Sequence, residues 1–231
     1  MNQYGFDGLE QKIGYIYKDK KLLRQAMTHT SFANEQKMNK LKSYERIEFL
    51  GDAILEMVSS EFFYFTYPDL PEGKLTQMRA SSVCEQALAI TARDLSLGSY
   101  MLLGKGEELT GGRDRDSIIA DGVEAIIGSI YLDGGLAPAK DFILTHVLND
   151  LEKKQLFYDA KSILQEKVQI GHLGNLSYKL IAEDGPDHAK HFAVEAWLDD
   201  TRIGSGEGHS KKAEQHAAYQ ALLQMQAQET N

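Results

Sequence analysis

Residues 44–55 read YERIEFLGDAIL, and this stretch indicates the fold class of the first part of the chain. Through it and just beyond it, apolar residues recur at spacings of three and four, which is the period of an α-helix. These residues are Leu50, Ala53, Ile54, Met57 and Val58. Similar runs, separated by turn signals such as the prolines at 68 and 71, continue to about residue 153. The sequence therefore predicts a nearly all-helical first part.

The same stretch carries acids that an ordinary helix would not place together. Glu45, Glu48 and Asp52 stand at positions i, i+3 and i+7, so they share one helical face. Their neighbours are mostly apolar, and three like charges on one face repel one another. The helix gains nothing locally from this arrangement.

A second helical stretch, SIIADGVEAII at 117–127, repeats the pattern with Asp121 and Glu124. No Lys or Arg occurs between Ser117 and Lys140, so neither acid has a cationic partner nearby in the sequence. Burying an unpaired carboxylate is costly unless it is paired or binds a metal.

These two acidic stretches have more than one interpretation. Each alone could be a solvated helix face. Together, the two helices could place four carboxylates around one point, and oxygen ligands without histidine suit Mg²⁺, with Mn²⁺ as a substitute. Such ions polarise a phosphoryl group and activate water. A di-iron carboxylate bundle also uses acidic helices, but it normally needs Glu-x-x-His on two of them, and neither stretch contains histidine.

The composition sets broad limits. Hydrophobic residues make up 42% of the 231 residues and charged residues 26%, which is ordinary for a soluble globular protein. We expect no membrane span and no secretory signal. Cys84 is the single cysteine, which excludes an intramolecular disulfide and favours the reducing cytoplasm. The net charge of −9, taken alone, argues weakly against nucleic acid as a partner.

The pattern changes after about residue 158. A short helix at 160–171 precedes three alternating stretches at 178–183, 191–198 and 201–206, and a last helix runs from about 211 to 225. Turn signals separate the stretches. The sequence therefore predicts a small α-β-β-β-α domain, joined to the first part by a short linker at 152–158.

The run ERIEFLGDAIL at 45–55 resembles the signature helix of the ribonuclease III family. HTS at 29–31, LGKGEE at 103–108 and GGRDRDSIIADGVEAIIGSIYLDGG at 111–135 are similar to that family in the same order. The resemblance implies an all-α nuclease domain at 1–153, followed by a small α+β double-stranded RNA-binding domain at 159–228. It also implies a homodimer in which each subunit cuts one strand of an RNA duplex.

The resemblance assigns roles to residues of the first domain. Metal ligands would be Glu48, Asp52, Asp121 and Glu124, with Asp52 and Glu124 catalytic. Supporting roles would fall to Glu45, at the start of the signature, and to Glu72, near the cleft. Phe49 would insert into a socket on the partner subunit, although the sequence alone also allows it to lie in its own core.

The second domain carries its own resemblance, through SILQEKVQ at 162–169, GPDH at 185–188 and SKKAEQHAA at 210–218. Domains of this type read the A-form shape of RNA across two minor grooves and the phosphates between them. The residues implied to contact RNA are Gln165, Glu166, Gln169, His188, Lys211 and Lys212. Residues 160–231 hold seven Lys or Arg against ten Asp or Glu, so we expect binding to depend on a few placed cations.

These observations favour a metal-dependent endoribonuclease for double-stranded RNA, leaving 5′-phosphate and 3′-hydroxyl ends. By resemblance, its substrates would be ribosomal RNA precursors and messenger RNA. One alternative is a catalytically inactive protein that binds RNA duplexes without cutting. Another is a carboxylate metalloprotein with a small-molecule substrate. Retention of all four acids argues against the first, and the C-terminal domain argues against the second.

Overall fold

The structure is a computed structural model that describes residues 5–149, 151, 160–184, 190–208 and 212–229. The chain forms two compact units, divided between Leu151 and Glu152. Among the described residues, no helix is both long and apolar enough to cross a membrane.

The first unit is helical, as the sequence predicts. Its α-helices are α1 (Asp7–Ile13), α2 (Lys20–Ala26), α3 (Thr30–Glu35), α4 (Glu45–Thr66), α5 (Glu72–Val83), α6 (Glu85–Asp94), α7 (Lys105–Leu109), α8 (Asp116–Gly134) and α9 (Leu136–Phe142). Short 3₁₀ turns occur at Lys40–Lys42, Leu97–Tyr100 and Gly112–Asp114, and a π-helical turn at Ile143–Val147 follows α9.

Helix α8 forms the centre of this unit. Its residues from Ile118 to Ile130 are mostly buried, including Val123, Ile126 and Ile127 at 0% exposure. A helix that is apolar on nearly every side is stable only inside a protein. Helices α2, α4, α6 and α9 pack around it, so any polar side chain on α8 lies close to another helix.

The second unit has the predicted α-β-β-β-α order. It consists of α10 (Ala160–Ile170), β1 (Leu176–Asp184), β2 (His191–Leu198), β3 (Thr201–Gly208) and α11 (Lys212–Glu229). The strands form an antiparallel sheet in the order β1-β2-β3, with an irregularity between Leu180 and Ala182.

The core of the second unit lies between the sheet and the helices. Val194 and Ala196 of β2 are buried, as are Leu164 of α10 and Leu222 of α11. Helix α11 packs on β2, β3 and α10. The predicted fold class is thus confirmed in both units, while the predicted linker at 152–158 lies outside the described residues.

Candidate metal centre

Helices α4 and α8 make their closest approach at two glycines. A methyl group on Gly51 would overlap the carbonyl oxygen of Glu124, and one on Gly128 would overlap that of Ile47. Because neither residue has a side chain, the two backbones can touch directly. This crossing places the acidic face of α4 next to the acidic residues of α8.

Three carboxylates meet beside the crossing. Glu48, Asp121 and Glu124 each offer one oxygen, and these oxygens lie within 4.8 Å of one another. All three side chains are half-buried. We refer to these three residues as the acidic cluster.

The acidic cluster strongly disfavours its own full ionisation. The pKa of Glu124 is raised to about 8, mainly by burial, and the charges of Asp52 and Asp121 add to the effect. Burial and the charge of Asp121 likewise raise the pKa of Glu48 to about 7. Opposite charge at the centre of the cluster would relieve this repulsion, and that is what a divalent cation supplies.

Asp121 accepts a hydrogen bond from a residue outside the cluster. The hydroxyl of Tyr44 donates to Asp121 Oδ2 at 3.0 Å. Burial raises the pKa of Asp121, whereas this hydrogen bond lowers it. Burial and the charge of Asp121 also raise the pKa of Tyr44, so the hydroxyl remains protonated and continues to donate.

The other acids predicted for the site are not among the three carboxylates of the cluster. Asp52 is exposed and is not one of the three, but its charge is the largest acting on Glu124. Glu45 is exposed at the first residue of α4 and contributes to the raised pKa of Glu48. Glu72 is exposed at the first residue of α5, where it accepts a hydrogen bond from Thr76 Oγ1 at 2.8 Å.

Glu56 continues the acidic stripe of α4 by one more turn. Its side chain is partly exposed and pairs with Arg79 Nε of α5 at 3.0 Å. Arg79 also donates to Ser60 Oγ at 2.7 Å. Through these two contacts, Arg79 links α5 to α4 about one turn beyond Asp52.

The donor set of the cluster fits a hard divalent cation. It consists of carboxylate oxygens, with neither sulfur nor imidazole among the three, and such sites suit Mg²⁺, Ca²⁺ or Mn²⁺ rather than Zn²⁺.

Phe49 lies on α4, one residue beyond Glu48, and 80% of it is exposed. The alternative that Phe49 belongs to its own subunit's core is therefore wrong. Ala53 and Met57 of the same helix are also exposed. These residues follow a spacing of four, so they form one apolar stripe along α4.

Three of the six residues predicted to contact RNA are exposed on one helix of the second unit. Gln165, Glu166 and Gln169 are all exposed on α10, while Leu164 and Val168 of the same helix are buried. His188 and Lys211 lie outside the described residues. Lys212 begins α11, but its side chain is outside the described part of the chain.

Sequence reasoning missed the residues that bring the acids together. Tyr44 stands immediately before the acidic stripe, and only its contact with Asp121, 77 positions away, reveals its role. Gly51 and Gly128 had a signal that could have been used, since a glycine inside an otherwise good helix costs about 1 kcal/mol and often marks a close approach.

Comparisons with known proteins agree with this geometry. Residues 19–151 match the family model described as Ribonuclease-III-like, and residues 160–225 match the double-stranded RNA binding motif. A protein named Ribonuclease 3 from Caldanaerobacter subterraneus subsp. tengcongensis is 48% identical over 94% of this chain and 96% of its own length. Ribonuclease 3 from Bacillus velezensis is 44% identical over 97% of this chain and 92% of its own length.

A solved structure gives the same result for the first unit. The nuclease domain of ribonuclease III from Campylobacter jejuni, whose description names a region involved in dimer formation, is 40% identical with a TM-score of 0.58. The match covers 62% of this chain and 96% of that one. Given the helical first unit, the acidic cluster, the second unit and these relatives, the chain belongs to the ribonuclease III family.

Proposed function

We propose that this protein is a metal-dependent endoribonuclease that cleaves double-stranded RNA. The observation that carries the proposal is the meeting of Glu48, Asp121 and Glu124 within 4.8 Å at the crossing of α4 and α8. An RNA phosphate would be repelled by these charges, so the site suits RNA only when cations are bound there. Names of the relatives, Ribonuclease 3, support the same activity.

The metal that we propose is Mg²⁺, with Mn²⁺ able to replace it, and the ligands are Glu48, Asp52, Asp121 and Glu124. When bound, the metal would polarise the phosphoryl group and make water a better nucleophile. Asp52 is exposed beside the cluster, so its carboxylate can contact solvent water as well as a metal bound there. We assign Asp52 and Glu124 to orienting the attacking water, while Glu45 and Glu72 support the site from its edge.

The reaction is a hydrolysis of the RNA backbone. Water adds to the phosphorus, the bond from phosphorus to the 3′ oxygen breaks, and that oxygen takes up a proton. The products would carry a 5′-phosphate and a 3′-hydroxyl. We further propose that the duplexes cut in the cell belong to ribosomal RNA precursors and messenger RNA, and that the protein works in the cytoplasm, where the single thiol of Cys84 would stay reduced.

The second unit would bind the duplex. Gln165, Glu166 and Gln169 are exposed together on α10, and such polar groups can contact 2′-hydroxyls and base edges in a minor groove. His188, Lys211 and Lys212 would also contact the RNA, as the resemblance of GPDH at 185–188 and SKKAEQHAA at 210–218 implies. We take residues 1–153 and 159–228 as the two functional domains, which the matched ranges 19–151 and 160–225 support.

We propose that two copies of the chain form a homodimer through α4. The apolar stripe of Phe49, Ala53 and Met57 is exposed next to the acidic cluster, and removing such residues from water is favourable. Phe49 would enter a socket on the partner. Each subunit then contributes one cluster, so that one duplex is cut on both strands.

The test is incubation of a long RNA duplex with the protein in Mg²⁺, in Mn²⁺ and in a chelator. We expect short duplex products in either metal and none in the chelator, with 5′-phosphate and 3′-hydroxyl ends when the termini are analysed. A protein that retards the duplex in a gel but leaves it intact in both metals would instead be the non-cutting binder, and the catalytic assignments would fail.

Binding by the second unit is tested separately with the double variant Gln165→Ala/Gln169→Ala. Its affinity for duplex should fall, because minor-groove contacts are lost, whereas Gln220→Ala on the exposed side of α11 should bind like the wild type. Equal affinity for all three proteins would remove α10 from the RNA interface.

A further inference from the structure

Tyr44 contacts the acidic cluster but has no role in the proposed chemistry. It is the residue before α4, and 4% of it is exposed. Its hydroxyl crosses from α4 to α8 and donates to Asp121 Oδ2 at 3.0 Å. This is a direct contact between a buried neutral donor and a carboxylate of the cluster.

A network of contacts holds the Tyr44 ring in place. The ring stacks on that of His29, with centroids 5.5 Å apart and planes at 27°. The backbone N–H of Tyr44 donates to the carbonyl of Thr28 at 2.8 Å. Both the ring and the backbone of Tyr44 are therefore anchored to the segment just before α3.

His29 is itself fixed by Ser31 and by a distant loop. His29 Nδ1 accepts the N–H of Ser31 at 3.1 Å and lies 2.7 Å from Ser31 Oγ. Ser31 Oγ in turn accepts the N–H of Gly104 at 2.9 Å. Burial lowers the pKa of His29, which keeps the ring neutral. The motifs HTS at 29–31 and LGKGEE at 103–108, otherwise without a role, thus support Tyr44.

A neutral donor suits a metal ligand better than a cation would. Glu48 and Glu124 repel Asp121, so its carboxylate would turn away from them if nothing held it. A lysine or arginine could hold it but would cancel charge that the cation needs. The tyrosine hydroxyl uses one acceptor position of Oδ2 and leaves the other lone pairs of the carboxylate for a metal.

We propose that Tyr44 is a positioning residue, whose hydroxyl orients Asp121 for divalent metal and whose ring is held by His29, which Ser31 and Gly104 in turn fix. The proposal rests on the metal site described under the proposed function. Hydrogen-bond partners of metal ligands commonly fix the ligand's orientation, and their loss typically costs about 10- to 100-fold in metal affinity or activity.

The experiment measures Mn²⁺ and Mg²⁺ binding by calorimetry in the whole protein without RNA. It compares the wild type with Tyr44→Phe, which removes the hydroxyl but keeps the ring that stacks on His29. The matched control is Tyr17→Phe, since the Tyr17 hydroxyl is also buried and contacts Ser129 Oγ at 2.7 Å, away from the three carboxylates.

We expect metal affinity to fall about 10-fold or more in Tyr44→Phe and to stay near the wild-type value in Tyr17→Phe. In cleavage assays, the Mg²⁺ concentration for half-maximal rate should rise in Tyr44→Phe, while the rate at saturating Mg²⁺ should recover most of the wild-type value. Damage to the fold would not be rescued in this way.

Two results would overturn the proposal, and they are distinguishable. If Tyr44→Phe binds metal as tightly as the wild type and Tyr17→Phe, the hydroxyl does not position Asp121, although the metal site stands. If the wild type itself binds neither ion, the metal site fails and the role of Tyr44 fails with it.

Discussion

At the scale of single residues, Glu48 and Glu124 make the folded protein sensitive to pH. Their pKa values are raised to about 7 and about 8, mainly by burial, from an ordinary value of 4.5. Between about pH 5 and pH 8, the folded chain therefore retains protons that the unfolded chain has released. Stability falls with rising pH wherever the folded state binds more protons.

This linkage predicts a melting temperature that falls between about pH 5 and pH 8 when a chelator removes metal. The melting temperature of Glu124→Gln should fall less steeply, because an amide cannot ionise. That of Glu61→Gln, at an exposed position of α4, should follow the wild type. The measurement is thermal unfolding by circular dichroism across this range. Parallel curves for the wild type and Glu124→Gln would show that the raised pKa of Glu124 is not a feature of the folded protein.

Added Mg²⁺ should change this pH dependence in the opposite sense. Metal binds the ionised carboxylates, so its affinity rises as Glu48 and Glu124 lose their protons. A ligand that binds the folded state alone raises the melting temperature. The increase caused by Mg²⁺ should therefore be larger at pH 8 than at pH 6, and an equal increase at both would count against binding at the acidic cluster.

At the scale of secondary-structure elements, the site depends on how closely α4 and α8 approach each other. Gly51→Ala would place a methyl group against the carbonyl oxygen of Glu124. We expect it to lower the free energy of unfolding by about 1–3 kcal/mol or more, as overpacking of cores does, and to weaken metal binding by separating the helices. Urea unfolding and calorimetry check the two effects.

A suitable control for this substitution is Gly73→Ala in α5. Nothing lies within 4 Å of a methyl group at that position, and alanine is the better helix former. This variant should be as stable as the wild type or slightly more so. If Gly51→Ala were equally harmless, the direct contact between the two helix backbones would not be needed for the fold.

Features that depend only on local sequence spacing could be predicted from the sequence. Spacing alone places Glu45, Glu48 and Asp52 on one face of a helix, because helical geometry is local. Likewise, alternation and turn signals predicted the strands, and 191–198 matches β2 in its bounds. These features need no knowledge of distant contacts.

Features that join distant segments could not be predicted in the same way. The hydrogen bond from Tyr44 to Asp121 spans 77 positions, and the pairing of Glu56 with Arg79 depends on how α5 docks. Nothing local to either pair signals the contact. The sequence also could not distinguish a core role for Phe49 from an interface role, because an apolar residue on α4 suits both.

At the scale of the whole molecule, the proposed homodimer places Phe49 in the interface. Phe49→Asp should give a folded monomer, because a charge in an apolar socket is costly. Phe65→Asp is the control, since Phe65 is also exposed on α4 but lies sixteen positions away, about four and a half turns, on nearly the opposite face. Analytical ultracentrifugation distinguishes the two.

If the dimer forms through Phe49, the two variants should differ in oligomeric state. Phe49→Asp should sediment as a monomer and retain the helical circular dichroism of the wild type, while Phe65→Asp should remain a dimer. A dimer in both variants would exclude the socket for Phe49, and a monomeric wild type would exclude the interface altogether.

The most direct test of the central claim measures duplex binding and cleavage in the same samples for the wild type, Glu124→Gln and Glu61→Gln in Mg²⁺. If the acidic cluster is the centre of a metal-dependent nuclease, Glu124→Gln should bind the duplex normally but cut it about 100-fold more slowly or worse. Even the loss of a residue that only hydrogen-bonds to a metal ligand costs about 10- to 100-fold, and Glu124 is itself a proposed ligand. Glu61→Gln should cut at the wild-type rate. Undiminished cleavage by Glu124→Gln would contradict the account and place the chemistry elsewhere in the molecule.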